Sequence, residues 1–341
     1  MRVAVATVQV PFISGGAEVL AAGLLTALRR AGHVSEIVTL PFRFFPDAEV
    51  DRAMRVWEEE DFARLNLYEP DLVVCLKFPA YGLRHPRKTT WLLHQHRPAY
   101  ETRISDMTAD ERALTQRVRE FDQRHLNGTR LFTISRRVSD RLRSSNGLES
   151  IALYHPPFEP EKLYCHEALP YLFFPSRFES AKRQELLVRA MALVKSPVGA
   201  LLAGEGGQIG RMRELVGELG LQSRVRLLGT AGWDEMRALY ARALAVFFGP
   251  KDEDYGYVTL EAMLSRKPVI TCTDSGGPLE FVVDGETGCV VAPEPVAVAE
   301  AIDALWADRA RTRRMGEAGF DRYRMLDIRW EHVVERLAEA T

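Results

Sequence analysis

Two glutamates, Glu253 and Glu261, stand eight positions apart in the run Gly249-Pro250-Lys251-Asp252-Glu253-Asp254-Tyr255-Gly256-Tyr257-Val258-Thr259-Leu260-Glu261. Carboxylates accept hydrogen bonds from hydroxyl groups as readily as they move protons, so this pair suits a polyol: one acid gripping a sugar, the other a ribose. Earlier in the chain Arg177 and Lys182 lie five positions apart. Two cations at that spacing, flanking a strand end and a helix start, suit the neutralisation of a departing diphosphate. Near the start, Gly15-Gly16 opens a helical pattern. A glycine pair there lets a diphosphate approach backbone N–H groups and the positive end of a helix. A last cluster, His94-Gln95-His96-Arg97, closes an apolar run.

These residues need elements that bring them to one edge. Short valine- and leucine-rich runs predict strands over 2–8, 34–40, 71–77, 89–94 and 131–135, and again over 171–175, 198–203, 224–228, 244–248 and 268–272. Helical patterns alternate with them, including one over 258–266 that carries Glu261 and a long polar one over 108–127. The alternation predicts an α/β protein with doubly wound parallel sheets. In such sheets ligands bind outside the carboxyl ends of the strands. Four successive strands of the second half end at Arg177, at Gly204, in the Glu253 loop and in the Gly276 turn, each with ligand-type chemistry. The stretch 284–291 reads as a hairpin or tight turn pair.

A chain of 341 residues favours two domains. The proline-dense stretch from Tyr154 to Pro160 places their boundary between about 155 and 168. The formal net charge of -2 argues against bulk nucleic-acid binding. Four scattered cysteines without a C-x-x-C pair suggest no zinc site, and Cys75 and Cys272 read as buried reduced thiols. No run approaches the roughly 18 apolar residues a bilayer span needs, and residues 1–10 resemble a core strand, not a signal peptide, so the expected compartment is the cytoplasm. Between Arg112 and Arg143 nine arginines face only Glu120, Asp122 and Asp140. That region is either a solvated helix pair or a basic face toward an acidic acceptor or an anionic membrane surface.

Glu253-x7-Glu261 around an aromatic-glycine pair resembles the E-x7-E motif of family 4 glycosyltransferases, which have the GT-B fold: two Rossmann-like domains facing across a cleft. The order of the other motifs is similar. Arg177 and Lys182 resemble the family's G-R-x4-K pattern, with Ser176 in place of its glycine. Gly204-Glu205-Gly206 resembles its Gly-acid-Gly loop, and Gly276-Gly277-Pro278-Leu279-Glu280 its GG-x-x-E turn. The resemblance covers nearly the whole chain, is most specific over about 170–290 and is weaker over 35–130.

What the resemblance implies is a metal-independent, retaining transfer of a sugar from a UDP-, GDP- or dTDP-sugar to a hydroxyl of a glycan, lipid-linked or small-molecule acceptor, in bacterial polysaccharide or cell-envelope synthesis. No cofactor is expected. Arg177 and Lys182 would stabilise the leaving phosphate, and Glu253 would hold donor sugar hydroxyls. Backbone groups of Tyr255, Gly256, Tyr257 and Val258 would assist. Glu261 would hold the ribose, and Gly229-Thr230 would lie at the base. Gly15 and Gly16 would close on the diphosphate. His94 matches the family's strand-end histidine, but Gln95 follows where the family has Asp, which leaves open whether His94 or His96 has the role; His96 and Arg97 are candidates for the acceptor. Residues 326–341 would be a helix crossing back to the N-terminal domain. A sugar-nucleotide epimerase or phosphorylase of the same fold, or a non-catalytic nucleotide-sugar-binding protein, remains compatible. A nicotinamide dehydrogenase is disfavoured: Gly15-Gly16 is not a G-x-G-x-x-G element, and the strand after Gly204 ends in Gly229-Thr230 without an acid.

Overall fold

A computed structural model describes residues 1–12, 15–64, 68–101 and 104–339. The chain forms two compact units. One comprises Met1–His155 with Arg329–Thr341, the other Pro156–Ile328.

The first unit runs β1 (Arg2–Gln9), α1 (Gly16–Arg30), β2 (Val34–Pro41), α2 (Asp47–Glu59), β3 (Leu72–Cys75), β4 (Lys88–Leu92), α3 (Pro98–Glu101), α4 (Ala109–Leu126), β5 (Arg130–Thr133), α5 (Arg136–Asn146) and β6 (Ile151–Ala152). Its strands pair in the order β2-β1-β3-β4-β5-β6, every pairing parallel. Val3 to Val8 are buried without a break, as a strand covered by helices on both faces requires. The order reverses between β1 and β3, which makes that gap the switch point of the sheet.

The second unit runs β7 (Tyr171–Pro175), α6 (Gln184–Met191), β8 (Gly199–Ala203), α7 (Ile209–Glu218), β9 (Val225–Gly229), α8 (Trp233–Arg242), β10 (Ala245–Phe247), α9 (Tyr257–Leu264), β11 (Val269–Cys272), α10 (Pro278–Phe281), β12 (Gly288–Val291), α11 (Pro295–Ala307) and α12 (Arg309–Met325). The strand order is β12-β11-β10-β7-β8-β9, again all parallel. This is the 3-2-1-4-5-6 order of a Rossmann sheet, with its switch point between β7 and β10. Phe173, Phe174, Phe178 and Phe247 are among the largest wholly buried side chains and belong to one continuous core.

The last helix, α13 (Trp330–Ala338), belongs to the first unit. Trp330 lies over Gly23 of α1, where any Cβ would collide with the indole, and stacks on His155 at 5.9 Å. Arg130 and Glu339 close this packing with an ion pair of 2.6 Å.

Two details differ from the sequence reading. The stretch 284–291 takes the tight-turn alternative and not the hairpin: β12 pairs parallel with β11, and Asp284 shapes the turn before it, accepting the Val290 N–H at 2.8 Å. Gly288 makes this possible because a Cβ there would crowd the Val269 carbonyl of β11. The fourth strand also ends at Leu92, so His94 stands in the loop beyond it. The Leu93 N–H still bonds the Leu76 carbonyl at 3.0 Å.

Candidate active site

At the switch point of the second unit, the chain leaving β7 and the chain leaving β10 diverge. After β7 the backbone passes Arg177, makes a single 3-10 turn over Ser180–Lys182, and enters α6 through Arg183 in the left-handed region, at φ 59°. After β10 it forms the Gly249–Gly256 loop. The two are tied by the Lys251 N–H donating to the Ala181 carbonyl at 2.8 Å. The side chains then meet: Lys182 Nζ is ion-paired with Glu253 Oε2, both groups partly buried. The lysine amine also lies 5.8 Å from the centroid of the Phe248 ring.

Glu253 is fixed from below by the Gly276-Gly277 turn that follows β11. Glu253 N–H donates to Ser275 O at 3.0 Å, and Gly277 N–H to Glu253 O at 2.8 Å. Gly276 has φ 72°, and a Cβ there would stand 2.6 Å from the Glu253 carbonyl oxygen. Only glycine permits the two loops to lie this close. Beside them Arg183 and Asp274 form a bidentate pair, both bonds 2.6 Å. That pair raises the guanidinium pKa and lowers that of the carboxyl, chiefly through the hydrogen bonds themselves. Both residues lie inside stretches the sequence marked, but nothing in their spacing joins positions 183 and 274.

The glycine-rich loop after β8 lies against the loop after β7. Gly204 has φ 136° and would collide with the Ser176 carbonyl if it carried a Cβ; Gly206 has φ 148°, with a Cβ position 2.5 Å from the Phe178 carbonyl oxygen. Gly229, at the end of β9, accepts the Gly204 N–H at 2.8 Å, and Thr230 follows it exposed. Arg177, Gly204, Gly206 and Gly229 are therefore one neighbourhood. Arg177 is exposed and turned toward Glu179, 3.1 Å away, not toward Glu253.

Glu261 is held differently. Gly256 caps α9 with φ 88°, so the N–H groups of Tyr257 and Val258 belong to the open first turn of that helix. Tyr255 is buried beside them, edge-on to Tyr257 at 5.6 Å. One turn on, Glu261 is 8% exposed, and Tyr240 of α8 donates its hydroxyl to Glu261 Oε2 at 2.5 Å. Burial pushes the Glu261 carboxyl up to about 7, the Tyr240 bond opposing the shift. Tyr240 escaped the sequence reading because it looks like any aromatic on the inner face of an amphipathic helix.

In the first unit, Gly15 caps α1 in extended backbone, and its N–H donates to Glu18 Oε2 at 2.8 Å; Gly16 is the first helical residue. Between the two histidines, Gln95 is fully buried, its amide donating to Asn146 Oδ1 at 2.6 Å and to Ser145 Oγ at 3.0 Å. That anchor turns the neighbours apart. His94 stays half-buried with Nδ1 2.7 Å from the Gln95 carbonyl. His96 packs under Phe78 at 5.0 Å, and burial lowers its pKa to about 4. Arg97 pairs with Glu101. Most arginines of the 112–143 region are likewise engaged: Arg117 with Asp51, Arg124 with Glu58, Arg119 with the Ala99 carbonyl and Arg143 with Glu149.

Among the described residues, no group of three or more His, Cys, Asp or Glu is placed to hold a metal ion. None of the described helices is long and apolar enough to cross a membrane.

The stretch 158–322, which contains every second-unit residue of the candidate site, matches the family model "Glycosyl transferases group 1". It is this stretch, and not the whole chain, that resembles the family. The chain is 34% identical over 188 residues to a D-inositol 3-phosphate glycosyltransferase of Nocardia farcinica, covering 50% of this chain and 40% of that protein. It is 31% identical over 240 residues to a GDP-mannose-dependent alpha-(1-6)-phosphatidylinositol monomannoside mannosyltransferase of Mycobacterium tuberculosis, covering 62% of each. The matched stretch thus spans about 40% of the length of the first curated relatives. Among solved structures, a sucrose-phosphate synthase from Thermosynechococcus elongatus superposes with a TM-score of 0.80 at 19% identity, covering 98% of this chain and 97% of that one. Anabaena HepE, solved with UDP-glucose, superposes at 0.73 and 18% identity, covering 99% and 98%. The fold is GT-B, each unit a Rossmann-like sheet with helices on both faces.

Proposed function

We propose that the protein is a retaining glycosyltransferase that moves a sugar from a nucleotide-sugar donor to a hydroxyl of a glycan, lipid-linked or small-molecule acceptor, in bacterial polysaccharide or cell-envelope synthesis. The observation that carries this reading is the Lys182–Glu253 pair at the β7/β10 switch point, within the stretch that matches the glycosyl transferases group 1 model. A cation and a hydroxyl-accepting carboxylate are held side by side before any ligand arrives. On binding, the donor diphosphate takes the amine and the sugar hydroxyls take the carboxylate, so each partner exchanges one counter-group for another without moving far.

Negative charge builds on the departing phosphate as the bond to the anomeric carbon breaks. Lys182 stabilises it, and Arg177, exposed and paired with Glu179, swings in as the second cation. With two cations on the leaving group, the transfer proceeds without a resident metal. The first-turn N–H groups of α9 at Tyr257 and Val258, with Tyr255 and Gly256 before them, approach the donor. Glu261 accepts the ribose hydroxyls, while Gly204, Gly206, Gly229 and Thr230 line the approach of the nucleoside. In the first unit, Gly15 and Gly16 are the residues assigned to phosphate and His94 the one assigned to the transferred sugar; His96 and Arg97 contribute through the loop they help build.

The donor is a UDP-, GDP- or dTDP-sugar; relatives and structural neighbours are described with GDP-mannose and UDP-glucose. The enzyme works in the cytoplasm. Because most of its 112–143 arginines are spent on intramolecular partners, any contact with the inner membrane surface is peripheral. The deciding experiment is a thermal-shift panel of nucleotides and nucleotide sugars, followed by donor hydrolysis and transfer assays on the best binder. One nucleotide sugar should protect the protein and be turned over. Protection by none, or binding with no turnover under any acceptor, would remove the transferase reading.

A further inference from the structure

Asp122 lies on the inner face of α4, fully buried. Its Oδ1 accepts the hydroxyl of Tyr81, from the 3-10 turn over Ala80–Gly82, and its Oδ2 accepts the hydroxyl of Tyr100 of α3 at 2.7 Å. The row of hydrogen bonds continues outward from Tyr100. Asn146, at the end of α5, donates Nδ2 to the Tyr100 oxygen at 3.1 Å. Gln95 donates Nε2 to Asn146 Oδ1 at 2.6 Å, and the Gln95 backbone carbonyl lies 2.7 Å from His94 Nδ1. From Gln95 to Tyr100 every donor points toward Asp122, the order that an ionised acceptor at the end of the row imposes. One atom is left out. Gln95 Oε1 is buried and, among the described residues, has no hydrogen-bond partner, a costly state for an acceptor away from water.

A carboxyl that takes up a proton from water must donate it onward. The acceptors in reach of a hydrogen on Asp122 are the two phenol oxygens. A phenol that receives it loses the acceptor of its own hydrogen. For Tyr100 the vacant acceptor is Gln95 Oε1, on a side chain that already acts on this phenol. Turning the Gln95 amide to meet it gives up the bonds to Asn146 and Ser145 that anchor the loop. We propose that Asp122 is a positioning residue for the loop 94–97: as a carboxylate it keeps Tyr100, Asn146 and Gln95 in line, and on protonation it releases Gln95 and shifts His94. The link from His94 to turnover rests on the transferase reading above; the link from Asp122 to Gln95 does not.

The groups around Asp122 leave it free to act as the sensor. Burial drives its carboxyl up to about 7, the two phenol bonds opposing. Burial raises both phenols, and it pushes Cys75 of β3, which acts on Tyr81, up to about 12. Lys88 of β4 donates to the Tyr81 carbonyl at 2.6 Å, and Arg119 lies over the Tyr100 ring at 5.2 Å. On α5, Arg141 stands 3.9 Å from Glu101 of α3. His125, one turn on along α4, pairs with Glu58 of α2 at 2.7 Å, and burial lowers its pKa from 6.5.

The test follows the Gln95 side-chain amide by NMR in the full chain, with glutamine side chains labelled with 15N and no substrate present. In the native protein its resonances should inflect near pH 7, where Asp122 titrates. Asp122→Asn, which carries an amide donor where the protonated acid carries its hydrogen, should hold them flat at the acid-side position. Tyr100→Phe removes the relaying hydroxyl and should also flatten them, and it serves alone should Asp122→Asn fail to fold. His125→Gln should leave the inflection in place. A native amide that does not inflect between pH 6 and 8, an inflection that survives Asp122→Asn or Tyr100→Phe, or one lost in His125→Gln overturns the proposal. With the nucleotide sugar that the protein turns over, kcat should fall about tenfold from pH 8 to pH 6, as the ionised fraction of such a group does, with the donor KM unchanged by Asp122→Asn. In Asp122→Asn kcat should lose that dependence; a kcat profile the same as the native one also overturns it. The NMR titration needs no substrate, so its failure leaves the transferase reading standing, and an inflection without any turnover removes the transferase reading alone.

Discussion

Lys182 and Glu253 are 71 positions apart in sequence and ion-paired in space, one on the turn that leaves β7 and the other on the loop that leaves β10. Each is partly buried, and each is fixed by backbone contacts that do not involve the other's side chain. The pair is thus set in place by the sheet and its loops.

On the proposed role, in which the amine faces charge that grows only as the sugar–phosphate bond breaks, Lys182→Ala should lower kcat about 100- to 1000-fold while leaving donor affinity within a few-fold. Single-turnover kinetics and nucleotide-sugar titration measure the two separately. Equal losses in both would assign the lysine to ground-state binding. Thermal stability should change by no more than about 1 kcal/mol, as for other partly solvated pairs.

Glu261 titrates near 7 in the folded protein against 4.5 for an ordinary glutamate. The native state then holds more protons than the unfolded chain between those two values, so stability falls as pH rises through that window. The same sign applies to Asp122, fully buried between the hydroxyls of Tyr81 and Tyr100 and raised from 3.8 to about 7. Urea midpoints should therefore rise from pH 8 to pH 6, and Glu261→Gln should remove on the order of 1 kcal/mol of that rise. A slope identical in native and Glu261→Gln protein would contradict the raised carboxyl.

Tyr240→Phe should leave the fold intact but release Glu261 Oε2. Titration with the free nucleotide should show weaker binding, by roughly tenfold, since a buried carboxylate loses the donor that orients it. Unchanged affinity would separate Tyr240 and Glu261 from the ribose.

His96, with its pKa depressed to about 4 by burial, contributes stability that is present above 6.5 and lost as pH falls from 6.5 toward 4. Its ring resonances should stay in the neutral form through pH 6 in an NMR titration. Protonation near 6.5 would place the imidazole in water and reopen its candidacy for the acceptor.

Gly276→Ala should be costly twice over. The residue lies at φ 72° with the Glu253 carbonyl 2.6 Å from its Cβ position. A loss of about 1–3 kcal/mol in stability is expected, with a larger fall in turnover than in nucleotide affinity, because the loop it displaces carries Glu253 and not Glu261. A fall in nucleotide affinity alone would refute the link between this turn and the sugar end of the site.

The chain's local patterns announce much of this protein. Valine-rich runs too short for helices and buried on both faces could form only parallel strands, and glycines at 204, 206, 256 and 276 stood where backbone needs positive φ. The positions of the acids and cations of the second unit at strand ends were legible for the same reason: strand ends can be read one element at a time. What no local pattern contains is strand order. Whether Lys182 meets Glu253, whether Arg183 finds Asp274, and whether Tyr240 reaches Glu261 depend on β10 lying beside β7, a pairing made across 70 residues of intervening chain. The surroundings of His94 and His96 diverged only when Gln95 was drawn into the interior by Asn146 and Ser145, about fifty positions away. Burial is the second thing the fold alone settles: it turned Glu261 from a surface acid into one titrating near 7.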